Sequence, residues 1–97
     1  MITVIDGRCV LDEAALHRRL AGAFGYGPLY RPSVRALGER LLAGDPRPLT
    51  LTWTHGPAIR LALGSARFDR FVATLDRVEA LDAGKSWADR FIFRLLD

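Results

Sequence analysis

The sequence predicts an α/β fold: a three-stranded parallel sheet packed with three to four helices. Three observations carry this reading. Short β-rich runs at 2–5, 49–53 and 90–96 are separated by segments of helical spacing. Helices between consecutive strands demand crossover connections, and crossovers imply parallel pairing. Finally, 97 residues, 49% of them hydrophobic, are read as one domain, 1–97, with a small compact core and no repeat, linker or low-complexity stretch.

The elements follow in order. Ile2, Val4 and Ile5 give a β-branched strand, and Asp6-Gly7 is a turn signal. Asp12 is placed to cap a helix from Glu13 to about Phe24, with Leu16, Leu20 and Phe24 as its buried stripe. The segment GYGPLYRP has two glycines and two prolines in eight residues and reads as a loop. Ser33 is placed to cap the next helix, whose Val34, Leu37 and Leu41 face the core while Arg35 and Glu39 point outward at i, i+4. Gly44-Asp45-Pro46 ends it. Leu49, Leu51 and Trp53 alternate with Thr50, Thr52 and Thr54 as a strand does.

The segment at 55–64 leaves two readings open. Ile59, Leu61 and Leu63 alternate like a strand, whereas Pro57 in a first turn and the Ile59–Leu63 spacing fit a short helix. Ser65 is placed to cap a longer helix with Phe68, Val72, Leu75 and Val78 on its buried face, closed by Gly84. Residues 91–96 form a nearly continuous apolar strand, as in buried parallel sheets.

Composition narrows the function. One cysteine, Cys9, excludes an internal disulfide, and no signal-peptide or membrane-spanning pattern is read, so a cytoplasmic protein is expected. Cys9 itself reads as a small packed hydrophobe. The net charge is +3, and the basic residues concentrate in the middle: from 14 to 75 the only acids are Glu39, Asp45 and Asp69. A basic middle attracts nucleic acid or an acidic protein face. A solvated arginine-rich surface explains it equally well, since Lys85 is the only lysine. Catalytic inventory is thin. His17 and His55 have no acid at metal-ligand spacing and read as structural, and no phosphate-binding glycine loop follows a strand. No metal, cofactor or catalytic residue is expected.

The region from Gly25 onward nonetheless resembles a known family. Tyr30, Ala36, Leu37 and Leu41, laid without gaps, match the barstar signature Tyr-Gly-x-Asn-aromatic-Asp-Ala-Leu-x-Asp-x-Leu, with Glu39 standing for an Asp. Leu16-His17, Leu20 and Gly25-Tyr26 fit the upstream pattern, and Trp53, Arg60 and Leu63-Gly64 the downstream one, which favours a helix at 57–63. The resemblance implies a barstar-like fold and a non-enzymatic inhibitor or immunity protein of a ribonuclease. In that family the loop and second helix enter the nuclease cleft, where carboxylates answer the basic groups that hold RNA phosphates.

The polar positions depart from the pattern. Arg31 replaces Gly, Ser33 replaces Asn, Arg35 replaces Asp, and Gly38 stands where an aromatic is common. A like charge buried in such a cleft costs several kcal/mol. The expectation is therefore an immunity protein that caps a toxin, a nuclease other than the barnase type, with an acidic or mixed-charge face. Its partner-binding residues are expected to be Tyr26, Tyr30, Arg31, Ser33, Arg35, Gly38 and Glu39. Gly38 is read as a flat place where a partner approaches closely. The alternative is a basic nucleic-acid-binding or regulatory module.

Overall fold

The computed structural model describes residues 2–26, 33–43 and 47–97. Three strands, β1 (Ile2–Asp6), β2 (Leu49–Thr54) and β3 (Phe91–Leu95), form one sheet in the order β1-β2-β3. Both pairings are parallel, with Ile5 opposite Trp53 and Leu51 opposite Phe93. The helices are α1 (Glu13–Phe24), α2 (Val34–Ala43), α3 (Gly56–Leu63) and α4 (Ser65–Asp82). This is the α/β architecture that the alternation of β-rich and helical segments predicts.

The central strand organises the core. Leu49, Leu51 and Trp53 turn to the helical side and are fully buried, while the three threonines between them take the opposite face. Ile2 and Val4 share that second face through their register with Thr50 and Thr52, and both are exposed. Trp53 stands among Phe68, Phe71 and Phe93, with ring centroids 5.1 Å from Phe93 and 6.1 Å from Phe71. Offset and edge contacts of this kind add to the stability that area burial gives.

The ambiguous segment is a helix. Ile59 and Leu63, four apart, are buried, whereas Leu61 is 87% exposed. A strand that buried Ile59 and Leu63 would have buried Leu61 with them. His55 turns the chain from β2 into α3 with a left-handed backbone (φ 54°, ψ 51°), and Pro57 occupies the first turn. Gly7 lets this corner close: a Cβ there would lie 2.5 Å from the His55 carbonyl oxygen.

Several expectations change. Ser65 is the first residue of α4 rather than its cap; Gly64 holds the cap position without a side-chain hydrogen bond. The helix ends at Asp82 with Ala83 as C-cap, two residues before Gly84. Its buried face also includes Phe71, packed at full burial under Trp53. Only the first half of β3 is buried, because it is an edge strand, and Leu95 and Leu96 are partly exposed. Cys9 is exposed, since the turn at Gly7–Cys9 directs it outward, and so does not pack as a hydrophobe. Residues 44–46, read as the end of α2, lie outside the described residues; Ala43 is the last residue of α2.

One buried ionic centre fixes α2 against the rest. Asp82, only 2% exposed, accepts from the Phe91 backbone N–H at 2.8 Å and from Arg47 Nε at 2.9 Å. Lys85 Nζ lies 3.1 Å from its second oxygen. Arg47 donates onward to the Leu41 carbonyl of α2 at 2.6 Å. A single carboxylate therefore joins the end of α4, the start of β3 and the last turn of α2. Burial alone would raise the Asp82 pKa, but the Phe91 amide, Lys85 and Arg47 outweigh it and hold the carboxyl below its ordinary value.

Candidate functional site

The outer face of α2 begins at its cap. Ser33 Oγ accepts from the Ala36 backbone N–H at 3.0 Å, satisfying one of the orphan donors of the first turn. Leu37 and Leu41 then point into the core, and the 3.6-residue period turns Arg35 and Glu39 outward. Arg35 Nε lies 3.1 Å from Glu39 Oε1, with the two side chains 90% and 66% exposed. Such a surface pair contributes about 0.3–0.5 kcal/mol. Both charges are thus open to a partner at little cost to the fold.

Gly38 does something different from what its sequence position suggests. It is buried, and a Cβ there would lie 2.9 Å from Thr74 Cγ2 on α4. The missing side chain brings the two helices together, so Gly38 is a packing glycine and offers no flat landing for a partner. The Leu41–Arg47–Asp82 connection then places the C-terminal ends of α2 and α4 side by side. Above the close contact runs a groove of about 460 Å³, with Val34, Arg35, Glu39 and Leu42 on one wall and Arg70, Thr74 and Arg77 on the other. The α4 residues were not singled out in the sequence. Their i, i+4, i+7 spacing marks one stripe of a helix, but nothing local says which helix that stripe faces.

The remaining expected site residues divide. Tyr26 is buried, packed on Phe24 with ring centroids 5.6 Å apart, and the Arg40 guanidinium sits 4.6 Å above its ring. Its ring is covered by these neighbours and presents little surface of its own. Tyr30 and Arg31 lie outside the described residues.

The histidines are not acid-free. His17 is buried against Phe71, with Nε2 3.6 Å from Glu13 four residues earlier, and burial lowers its pKa. His55 Nδ1 lies 3.3 Å from Asp6 Oδ1 and 3.2 Å from Thr54 Oγ1 at the carboxyl ends of β1 and β2. Asp6 is already gripped by Arg8, whose side-chain and backbone hydrogen bonds pull its pKa down to about 2. Among the described residues no group of three or more His, Cys, Asp or Glu converges as a metal site would. A recess of about 480 Å³ by α3 has one arginine, Arg60, but that guanidinium lies over the Phe68 ring at 4.5 Å and beside Asp69. The α2–α4 groove, by contrast, is lined by four charged side chains, Arg35, Glu39, Arg70 and Arg77.

The sequence model of the family described as Barstar (barnase inhibitor) matches residues 1–96. The chain belongs to the barstar family. The three-stranded parallel sheet with four helices agrees with that membership. Barstar proteins are inhibitors of a nuclease and are not enzymes, so membership implies a protein partner at that level. No curated protein matches the chain. No helix among the described residues is long and apolar enough to cross a membrane.

Proposed function

We propose that this barstar-family protein is a non-enzymatic, cytoplasmic immunity factor that binds and caps a toxin, a nuclease other than the barnase type. Binding is through the segment 26–32 and the outer face of α2. The observation that supports this reading is the exposed Arg35–Glu39 pair on that face. A cleft that binds RNA phosphates is basic and needs carboxylates from its inhibitor. Here Arg35 opposes such a cleft, and the remaining acid, Glu39, already has a cation beside it. The face suits a target whose own surface is acidic or of mixed charge.

An RNA-cleavage assay tests the choice of target. A barnase-type ribonuclease is expected to keep its activity in excess protein, and nanomolar inhibition would overturn the proposal. The double change Arg35→Asp with Ser33→Asn is expected to leave the fold intact and raise affinity for that enzyme. Against the true partner, Tyr30→Ala is expected to cost about 2 kcal/mol or more, as an aromatic anchor does.

A second reading, nucleic-acid binding, is favoured by one observation: Arg18, Arg19, Arg70 and Arg77 have no ion-pair partner among the described residues. It predicts equal, modest losses on removing each of them and a steep fall in affinity with salt.

A further inference from the structure

We infer that the groove between α2 and α4 receives an acidic amphipathic helix of the protein partner, with Arg70 and Arg77 holding its carboxylates. The inference rests on the reading above, that the α2 face meets a protein. Four features of the groove specify the occupant.

The first is charge. Arg70 and Arg77 have neither an ion pair nor a hydrogen bond among the described residues, and both residues are exposed. The acids beside them on α4, Asp69 and Asp76, each stand one position before their arginine and so about 100° round the helix from it, and Asp69 faces Arg60 instead. The two arginine side chains on the α4 wall are therefore cationic and without an ion-pair partner among the described residues.

The second is spacing. Seven residues of α-helix at 1.5 Å each separate Arg70 from Arg77 by roughly 10 Å along the axis, on one face. Carboxylates at i and i+7 of a facing helix have that same separation.

The third is the apolar content. Val34 and Leu42 lie on the other wall, and Leu42 is 48% exposed. The two are eight residues, roughly 12 Å, apart along α2, so apolar side chains seven residues apart on the occupant would cover them. Helix-in-groove recognition includes anchors at i and i+7.

The fourth is Glu39, which lies on the groove wall and is two-thirds exposed. A phosphate backbone would meet this carboxylate unfavourably and would leave Val34 and Leu42 unused. A peptide helix can turn a small or basic residue toward Glu39. The groove thus favours an acidic protein segment over nucleic acid.

The probe is a labelled 16-residue alanine-based peptide containing Glu-Leu-x-x-x-x-x-Glu-Leu, titrated by fluorescence anisotropy with amide chemical-shift mapping. Binding is expected to weaken at least tenfold in Arg70→Ala/Arg77→Ala and to stay within twofold in Arg18→Ala. Changing both peptide glutamates to lysine is expected to abolish it, and the shifts are expected to cluster at 34–42 and 70–78. Circular dichroism confirms that the variants fold, as exposed positions on α4 predict. No binding at 1 mM peptide, equal binding by the double variant, or shifts elsewhere would overturn the proposal. So would binding of a uridine-rich RNA with the peptide inert. The barnase-type assay is scored separately: a negative peptide result leaves the inhibitor reading standing, and inhibition of that ribonuclease would overturn the choice of target without touching the groove.

Discussion

Replacing Asp82 by alanine tests how α2 is held in place. The carboxylate is almost fully buried and has three donors: Arg47 Nε, the Phe91 N–H and Lys85 Nζ. Removing it takes the carboxylate away from the Arg47 side chain, itself only 13% exposed. Breaking a buried pair from one side costs about 3–5 kcal/mol. The Phe91 amide loses its acceptor at the same time, a penalty of about 1–3 kcal/mol that overlaps the first. The expected loss is therefore about 3–5 kcal/mol. In a domain of this size that is a Tm fall of roughly 12 °C or more. Asp82→Asn keeps an acceptor and loses the charge, so it is expected to fall between. Lys85→Ala is expected to cost under about 1 kcal/mol, because Lys85 is 55% exposed. Urea unfolding followed by tryptophan fluorescence measures all three. An Asp82→Ala loss below about 1 kcal/mol, with unchanged denaturant slope, would refute the claim that this centre fixes α2. The carboxyl's pKa is depressed in the fold, so its contribution is present above the ordinary carboxylate range and is lost as pH falls through and below that range.

Other expectations follow from the same contacts. Gly38→Ala gains about 1 kcal/mol of helix propensity but drives a methyl into Thr74, an overpacking cost of about 1–3 kcal/mol. A net loss is expected in thermal melts, and it is expected to shrink in the Gly38→Ala/Thr74→Ser double variant. Ser33→Ala is expected to destabilise by about 1 kcal/mol through loss of the α2 cap, read by urea titration. Burial lowers the His17 pKa, so its neutral form is favoured in the fold. Stability is then expected to be greatest above the ordinary histidine pKa and to decline as pH falls below it, a slope that His17→Leu removes in melts between pH 7.5 and 5.5. Trp53 Nε1 is buried without an acceptor among the described residues. Trp53→Phe is expected to cost less than the about 3–5 kcal/mol of Trp53→Ala, since it also removes an orphan donor.

The sequence by itself determined the element order outside 55–64, the parallel sheet and most of the core. Those properties are local: the alternation of leucine and threonine through β2, the four-residue leucine spacing of α1 and α2, and the serine and aspartate caps each state their own conformation. The outward pairing of Arg35 with Glu39 was legible for the same reason, since helix geometry alone puts residues four apart on one face. Tertiary structure decided the rest. The segment at 56–63 satisfied two periods, and only burial of Ile59 and Leu63 with Leu61 left outside chose the helix. Gly38 and Tyr26 carry no local mark of what lies opposite them, and the fold placed one against Thr74 and the other beneath Arg40. Arg70 and Arg77 stand next to α2 because Asp82, through Arg47, ties the end of α4 to Leu41 near the end of α2, although the two are far apart in the chain. Sequence spacing fixes which residues share a face, and packing between elements fixes what that face meets.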